Sequence, residues 1–110
     1  MNNYLNAADY VLDDVCTLIK VTDSRGAYGE AVKTRTERTV FCTRKSAGQN
    51  EYFKALQEDF RAEGVLMILS SEYDNETEVQ YGNNKFSIYR TYERDNGYTE
   101  LYLSERVGVV

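Results

Sequence analysis

Polar and apolar residues alternate most clearly over residues 78–107. In Phe86, Ile88, Arg90 and Tyr92 every second residue is large with an apolar stem, and the returning run offers Leu101 and Leu103. Alternation of this kind marks a strand with one buried face. Asn96-Gly97 lies between the two runs and suits a type I′ turn, which needs positive φ at both central residues. A two-residue loop there sets Asp95 opposite Tyr98, Tyr92 opposite Leu101, Arg90 opposite Leu103 and Phe86 opposite Val107. A one-residue slip would turn one apolar set to solvent. Gly82-Asn83-Asn84 joins this hairpin to the short run Glu78–Tyr81, so the C-terminal third reads as a three-stranded meander.

Earlier in the chain, Tyr4, Leu5, Ala8, Val11, Leu12 and Val15 fall at helical spacing, with Asn3 or Asn6 available as a cap. Residues 1–14 are therefore expected as a helical or mobile N-terminal extension, because Asp13-Asp14 would oppose the helix dipole at its end. Val15–Val21 reads as a strand rich in β-branched residues, Thr22–Gly29 as a polar glycine-bearing loop, and Glu37–Arg44 as a second strand. Ser46-Ala47-Gly48-Gln49 fits a capping box. Phe53, Leu56 and Phe60 follow at i, i+3 and i+7, and Gly64 suits a left-handed helix stop, which predicts one helix over 47–62. Its apolar side can dock on the sheet, leaving Glu51, Glu58, Asp59 and Glu63 outward, and the helix is read either as an assembly-facing element or as a plug for one open end of the barrel. Val65–Leu69 is a continuous apolar run, expected to be a central strand buried on both faces. Ser70–Thr77 reads as a solvated acidic loop. The resulting order is strand, strand, helix and four strands. It predicts a mainly β single domain over 1–110: a small antiparallel β-barrel of about six strands with one inserted α-helix around 47–62.

Composition narrows the function classes. The chain has 110 residues, 42% apolar and 28% charged, enough for one modest core. No apolar run is long enough to span a membrane, and no basic-then-apolar leader precedes the domain, so a protein made in the cytoplasm is expected. Net charge is −5, which opposes a surface wholly committed to nucleic acid. Cys16 and Cys42 fall in expected strands with no CxxC spacing. They are expected as reduced, buried side chains, with a cross-strand disulfide as the alternative. Histidine is absent, which removes the commonest general base and zinc ligand.

Few constellations carry chemistry. Glu72, Asp74, Glu76 and Glu78 alternate, but the glycine and terminal glutamate of a calcium loop are missing. No nucleophile signature and no glycine-rich phosphate loop occurs, so no enzyme, no metal and no cofactor is expected. Charge is segregated. Residues 33–45 hold five bases (Lys33, Arg35, Arg38, Arg44, Lys45) and one acid, a net +4, whereas 51–78 hold eight acids and two bases, a net −6. The choice is between two solvated faces and an electrically polar subunit suited to head-to-tail association, with Lys33, Arg35, Arg38 and Arg44 as a basic interface. Ten tyrosines favour an interaction surface.

The order Val-Phe-Cys (40–42), Ser46 with Glu51–Ala55, Val-Gln-Tyr-Gly-x-x-Lys-Phe-x-Ile-Tyr-Arg-Thr-Tyr (79–92) and Glu-Leu-Tyr-Leu-x-Glu-Arg-Val-Gly (100–108) resembles the head–tail connector proteins of long-tailed bacteriophages of Gram-positive hosts. These are also termed head-closure, head-completion or stopper proteins. The resemblance covers about 15–108. It implies a non-enzymatic virion component with a small β-barrel fold, forming a homo-oligomeric ring in the phage neck. Such a ring closes the DNA-filled head beneath the portal adaptor and offers a platform to the tail-completion protein. In some members the segment after the second strand projects into the channel and retains DNA. That segment matches Lys45–Gly64, making Lys45, Glu51, Glu58, Asp59 and Glu63 the candidate channel residues. Acidic groups there would repel phosphate and let genomic DNA pass without sequence specificity. The alternatives are a tail-completion or terminator protein, and a small nucleic-acid-binding β-barrel using the basic segment and exposed tyrosines.

Overall fold

The computed structural model describes residues 11–45, 54–57 and 62–105. Six strands occupy most of them: β1 (Asp14–Arg25), β2 (Ala31–Lys45), β3 (Ala62–Leu69), β4 (Glu78–Tyr81), β5 (Asn84–Glu93) and β6 (Tyr98–Ser104). All pairings are antiparallel, in the order β1-β2-β3-β6-β5-β4. The sheet closes in a ring because β1 also pairs with β4, through Thr17–Gln80, Leu18–Val79 and Ile19–Glu78. Cys16, Leu18, Val40, Cys42, Leu66, Ile68, Val79, Phe86, Leu101 and Leu103 form the apolar interior. The mainly β expectation therefore holds, with one six-stranded antiparallel sheet.

β3 is covered on both faces, as its unbroken apolar run predicts. Leu66 and Ile68 point into the ring, while Val65 and Met67, on the alternate face, are buried as well. Leu69 ends the run partly exposed. The strand begins at Ala62, earlier than expected, which corrects both the end of the predicted helix and the role of Gly64. Gly64 is no helix stop. It sits in β3 with φ +137°, where the pairing with β6 skips Glu63 in a bulge. A Cβ at Gly64 would lie 3.0 Å from the Arg44 guanidinium. Residues 54–57 are helical, with Ala55 fully buried and Leu56 partly exposed, so Ala55 rather than Leu56 supplies the buried contact there. Ser46, Gln49, Glu51, Phe53, Glu58, Asp59 and Phe60 lie outside the described residues, as do most of the 1–14 segment and Val107.

The β5–β6 hairpin corrects the expected register. Tyr92 pairs with Glu100, and Thr91, not Tyr92, pairs with Leu101. Among the described residues only Asn75 has positive φ outside glycine, so Asn96 does not adopt the I′ conformation. The Arg94 N–H donates to the Tyr98 carbonyl at 2.8 Å across a three-residue loop that ends on Gly97 at φ +89°. The Asn96 side chain accepts from the Tyr98 N–H at 3.2 Å, so asparagine acts through its amide rather than through its backbone. A second irregularity at Tyr89 returns Ile88 to Leu103 and sends Arg90 to the outer face opposite Tyr102. Two single-residue shifts thus convert the apparent alternation of Phe86, Ile88, Arg90 and Tyr92 into two inward residues and two outward ones. The turn between β4 and β5 is shorter: Tyr81 pairs with Asn84 across Gly82-Asn83, with positive φ at Gly82 only, as a II′ turn requires.

Only the second half of Thr22–Gly29 is a loop; Thr22–Arg25 is strand. β1 runs to Arg25 and β2 starts at Ala31, so six pairs, Lys20–Thr36 to Arg25–Ala31, extend past the last contact of β1 with β4. At about 3.3 Å per residue this two-stranded arm reaches about 20 Å beyond the ring, in keeping with overall extents of 61 × 30 × 26 Å.

Gly64→Ala is expected to lower stability by about 1–3 kcal/mol, the usual cost of a side chain held in a sparsely allowed backbone region. Urea unfolding of both chains measures this, and a change below about 0.5 kcal/mol would show that the bulge tolerates a Cβ.

Candidate functional site

The inward faces of β1 and β2 change character along their length. Cys16 and Leu18 on β1 and Cys42 and Val40 on β2 are buried and apolar. The same faces continue as Lys20, Thr22 and Ser24, and as Arg38, Thr36 and Thr34. The change marks the mouth of the ring, and residues 70–77 fold across it. Arg38 holds them there: its Nη2 donates to the Glu76 carboxylate at 2.9 Å and to the Glu72 carbonyl, and its Nη1 donates to the Glu72 carboxylate at 3.3 Å. Glu76 is only 3% exposed, and its other carboxylate oxygen accepts from the Asp74 N–H at 2.8 Å. The Tyr73 hydroxyl donates to the Glu76 carbonyl at 2.8 Å while the Tyr73 side chain packs on the core. Asn75 takes φ +61° to let the chain fold back on itself. The acidic run is therefore a structured cap with one buried carboxylate, not the solvated loop its composition suggests. An open pocket of about 330 Å³ remains between Lys20, Thr22, Thr36, Arg38, Asp74 and Glu76.

The basic residues do not form one surface. Lys33 faces its strand partner Asp23 at 3.3 Å, both largely exposed. Arg35 pairs with Glu78 at 3.1 Å, and Lys20 with Asp74 at 3.0 Å. The Arg44 guanidinium donates to the Glu63 carbonyl at 2.6 Å and lies 5.5 Å from the Tyr81 ring centre. Segments that segregate by charge along the sequence are thus interleaved in space, with the bases of β2 meeting the acids of 72–78. Of the candidate channel residues, Lys45 ends β2 and Glu63 sits at the β3 bulge.

Lys45 belongs to a second cluster, outside the ring. Its Nζ lies 3.3 Å from the Glu100 carboxylate, which also accepts from Arg94 Nη1 at 2.8 Å and from the Tyr102 hydroxyl at 2.5 Å. Burial pushes the Glu100 carboxyl up, but the Tyr102 hydroxyl and the two cations outweigh it and hold the carboxyl below its usual range. Beside it, Arg90 stands 5.5 and 6.0 Å from the rings of Tyr89 and Tyr102, which meet edge-to-face at 6.3 Å. Cys16 and Cys42 are both free and buried, and their mutual hydrogen bond together with burial raises the Cys16 thiol. Among the described residues no group of three or more His, Cys, Asp or Glu is placed to hold a metal ion, and no helix is long and apolar enough to cross a membrane.

The surface features that sequence reasoning missed lie at the two ends of the β1–β2 ribbon. Tyr28, 95% exposed, crowns the arm in a turn closed by Gly26 N–H to the Glu30 carbonyl at 2.8 Å and by Gly29 N–H to the Gly26 carbonyl at 3.0 Å. At the other end Val15 pairs with Phe41 on the outer face, 48% and 65% exposed. Leu69, at the end of β3, is 40% exposed. Val15 and Phe41 form one uncovered apolar cross-strand pair. No protein-family model and no curated protein matches the chain.

Two outcomes follow from the buried carboxylates. Arg38→Met leaves Glu76 without its cation and is expected to cost about 1.5–3 kcal/mol, the usual worth of a charged hydrogen bond, as read from chemical denaturation at pH 7. For Glu100 the folded carboxyl titrates below its ordinary value of 4.5. The charge then contributes stability above that value, and the contribution is lost as pH falls through the depressed folded value. The stability gap between the native chain and Glu100→Gln is therefore expected to narrow on acidification from pH 7 to about pH 3. Parallel curves for the two chains would show that the cluster adds nothing.

Proposed function

We propose that the chain is a structural, non-enzymatic subunit of the phage neck: a small antiparallel β-barrel that forms a ring between portal adaptor and tail, closes the DNA-filled head and presents the platform for tail attachment. The observation that carries this reading is the β1–β2 arm. Six residue pairs extend beyond the ring, mostly polar or charged on both faces and with no share in the apolar interior. A two-stranded ribbon without an apolar face is marginal by itself, so its use is best sought in contacts outside its own fold. The resemblance of 79–92 and 100–108 to head–tail connector proteins supplies the setting. In that setting the connection between β2 and β3 faces the channel or a neighbouring subunit, and genomic DNA passes without being read. The engagement of Arg35, Arg38 and Arg44 within the chain favours assembly over a nucleic-acid-binding barrel, because few of the basic-segment cations remain for phosphate.

The test is genetic and structural. A phage that encodes the chain with an early stop codon is expected to accumulate heads that lack tails and lose packaged DNA, and antibody against the chain is expected to label the neck of intact particles. Labelling of capsid faces or tail tip, or normal tailed particles from the stop mutant, would overturn the reading. Binding to tail-tube protein with none to portal adaptor would move the chain to tail completion.

A further inference from the structure

We infer that Cys16 and Cys42 form an oxidisable pair, which a peroxide joins into an intrachain disulfide that staples β1 to β2 inside the ring. The register puts them on one face. Cys16 pairs with Val40 and Cys42 with Asp14, so the two cysteines are diagonal neighbours, and both belong to the apolar interior. Both are free and buried, and the Cys16 thiol hydrogen-bonds the Cys42 sulfur. Diagonal neighbours on one face of an antiparallel pair lie about 7–8 Å apart at Cα, against an upper limit of about 7 Å for a disulfide. A closing movement of about 1 Å is therefore enough. The slack lies where that movement is needed. β1 pairs with β4 only from Thr17 to Ile19, so Asp14–Cys16 has a strand partner on one edge alone. Cys42 likewise precedes the pairing of β2 with β3, which runs from Thr43 to Lys45.

The oxidant is a hydroperoxide, admitted by local opening of the pairs Asp14–Cys42, Val15–Phe41 and Cys16–Val40. The hydrogen bond from Cys16 outweighs burial and lowers the Cys42 thiol, so Cys42 releases its proton first. Its sulfur attacks one peroxide oxygen. The S–O bond forms, the O–O bond breaks, and the departing hydroxide takes up a proton as water. The Cys16 sulfur then attacks the sulfenic acid. The S–S bond forms, the S–O bond breaks, and hydroxide leaves with the Cys16 proton as a second water. The two thiols are oxidised to a disulfide and the peroxide is reduced to two waters. The chain has two cysteines in all, so the sulfenic acid has one intrachain partner, and that partner is already in contact. The bond closes residues 17–41, the whole arm included, into a covalent loop. None of this chemistry depends on the neck reading above, on which only the biological occasion rests: a particle leaves the reducing cytoplasm, where disulfides are rare.

The experiment treats the folded full chain, reduced and then freed of reductant, with hydrogen peroxide, quenches it in denaturant with N-ethylmaleimide and measures the intact mass. A monomer two hydrogens lighter than the reduced chain and free of maleimide is expected. Peptide mapping should place the link between Cys16 and Cys42, and dithiothreitol should restore both thiols. A glutathione redox buffer then measures the effective concentration of the pair, expected at least about tenfold higher in the folded chain than in the same chain unfolded in urea. By linkage that ratio appears as a higher urea midpoint for the oxidised chain. Sulfinic acid on either cysteine without a link, a disulfide only between two copies, thiols that stay free however much peroxide is added, or a lower urea midpoint for the oxidised chain would each overturn the inference. Any of these failures leaves labelling of the neck as it was, whereas a Cys16–Cys42 link in a chain absent from the neck keeps the staple without that setting.

Discussion

The closure of the sheet depends on one carboxylate placed where the barrel-like interior ends. β4 meets β1 through only three residue pairs, and the segment that carries the chain from β3 to β4 must cross the mouth of the ring to make them. Burying the Glu76 carboxylate at that crossing costs several kcal/mol in lost hydration. Arg38 and the Asp74 N–H offset the cost only when residues 72–76 take one conformation. The requirement that makes Glu76 expensive also makes it specific. Lys20–Asp74 and Arg35–Glu78 flank it as half-exposed pairs worth little individually, and they tie the same segment to both strands of the ribbon.

Glu100 repeats the arrangement on the outer side of β6, with two cations and a tyrosine hydroxyl around one buried carboxylate. Each buried acid recruits a base remote in sequence, 38 residues away for Glu76 and 55 for Lys45–Glu100. These pairs fix which strands come together, a task the apolar interior performs less selectively, because aliphatic side chains tolerate slippage better than a carboxylate tolerates solitude. The net charge of −5 thus conceals a body whose structural carboxylates are compensated.

What the sequence reveals and what it hides follow from this. Hydrophobic alternation locates strands that have one wet and one dry face, and it finds β1, β2, β5 and β6; an unbroken apolar run finds β3. It does not see the arm, because Thr22–Arg25 and Ala31–Thr36 have no dry face and their hydroxyls and charges read as loop. It misplaces the β5–β6 register because bulges change parity without changing composition: Arg90 and Tyr92 remain two apart, yet both have moved to the outer face. Nor does it see that Glu76 is buried, since an acidic residue in a polar run is exposed unless a base arrives from elsewhere, and Arg38 comes from a strand the run does not touch in sequence. The exposed apolar pair has the same origin. Val15 and Phe41 are unremarkable apolar strand residues separately, and only the β1–β2 register makes them neighbours.

The arm also shows how such a surface avoids indiscriminate association. Beyond the ring both its edges present unpaired backbone groups, the usual template for adding strands from any other chain. Lys33 and Arg35 stand along β2, and Lys20, Asp23 and Arg25 along β1, so both edges carry charged side chains that disfavour strand addition. With edge pairing disfavoured and no continuous apolar face, the arm offers little for an arbitrary chain to add to.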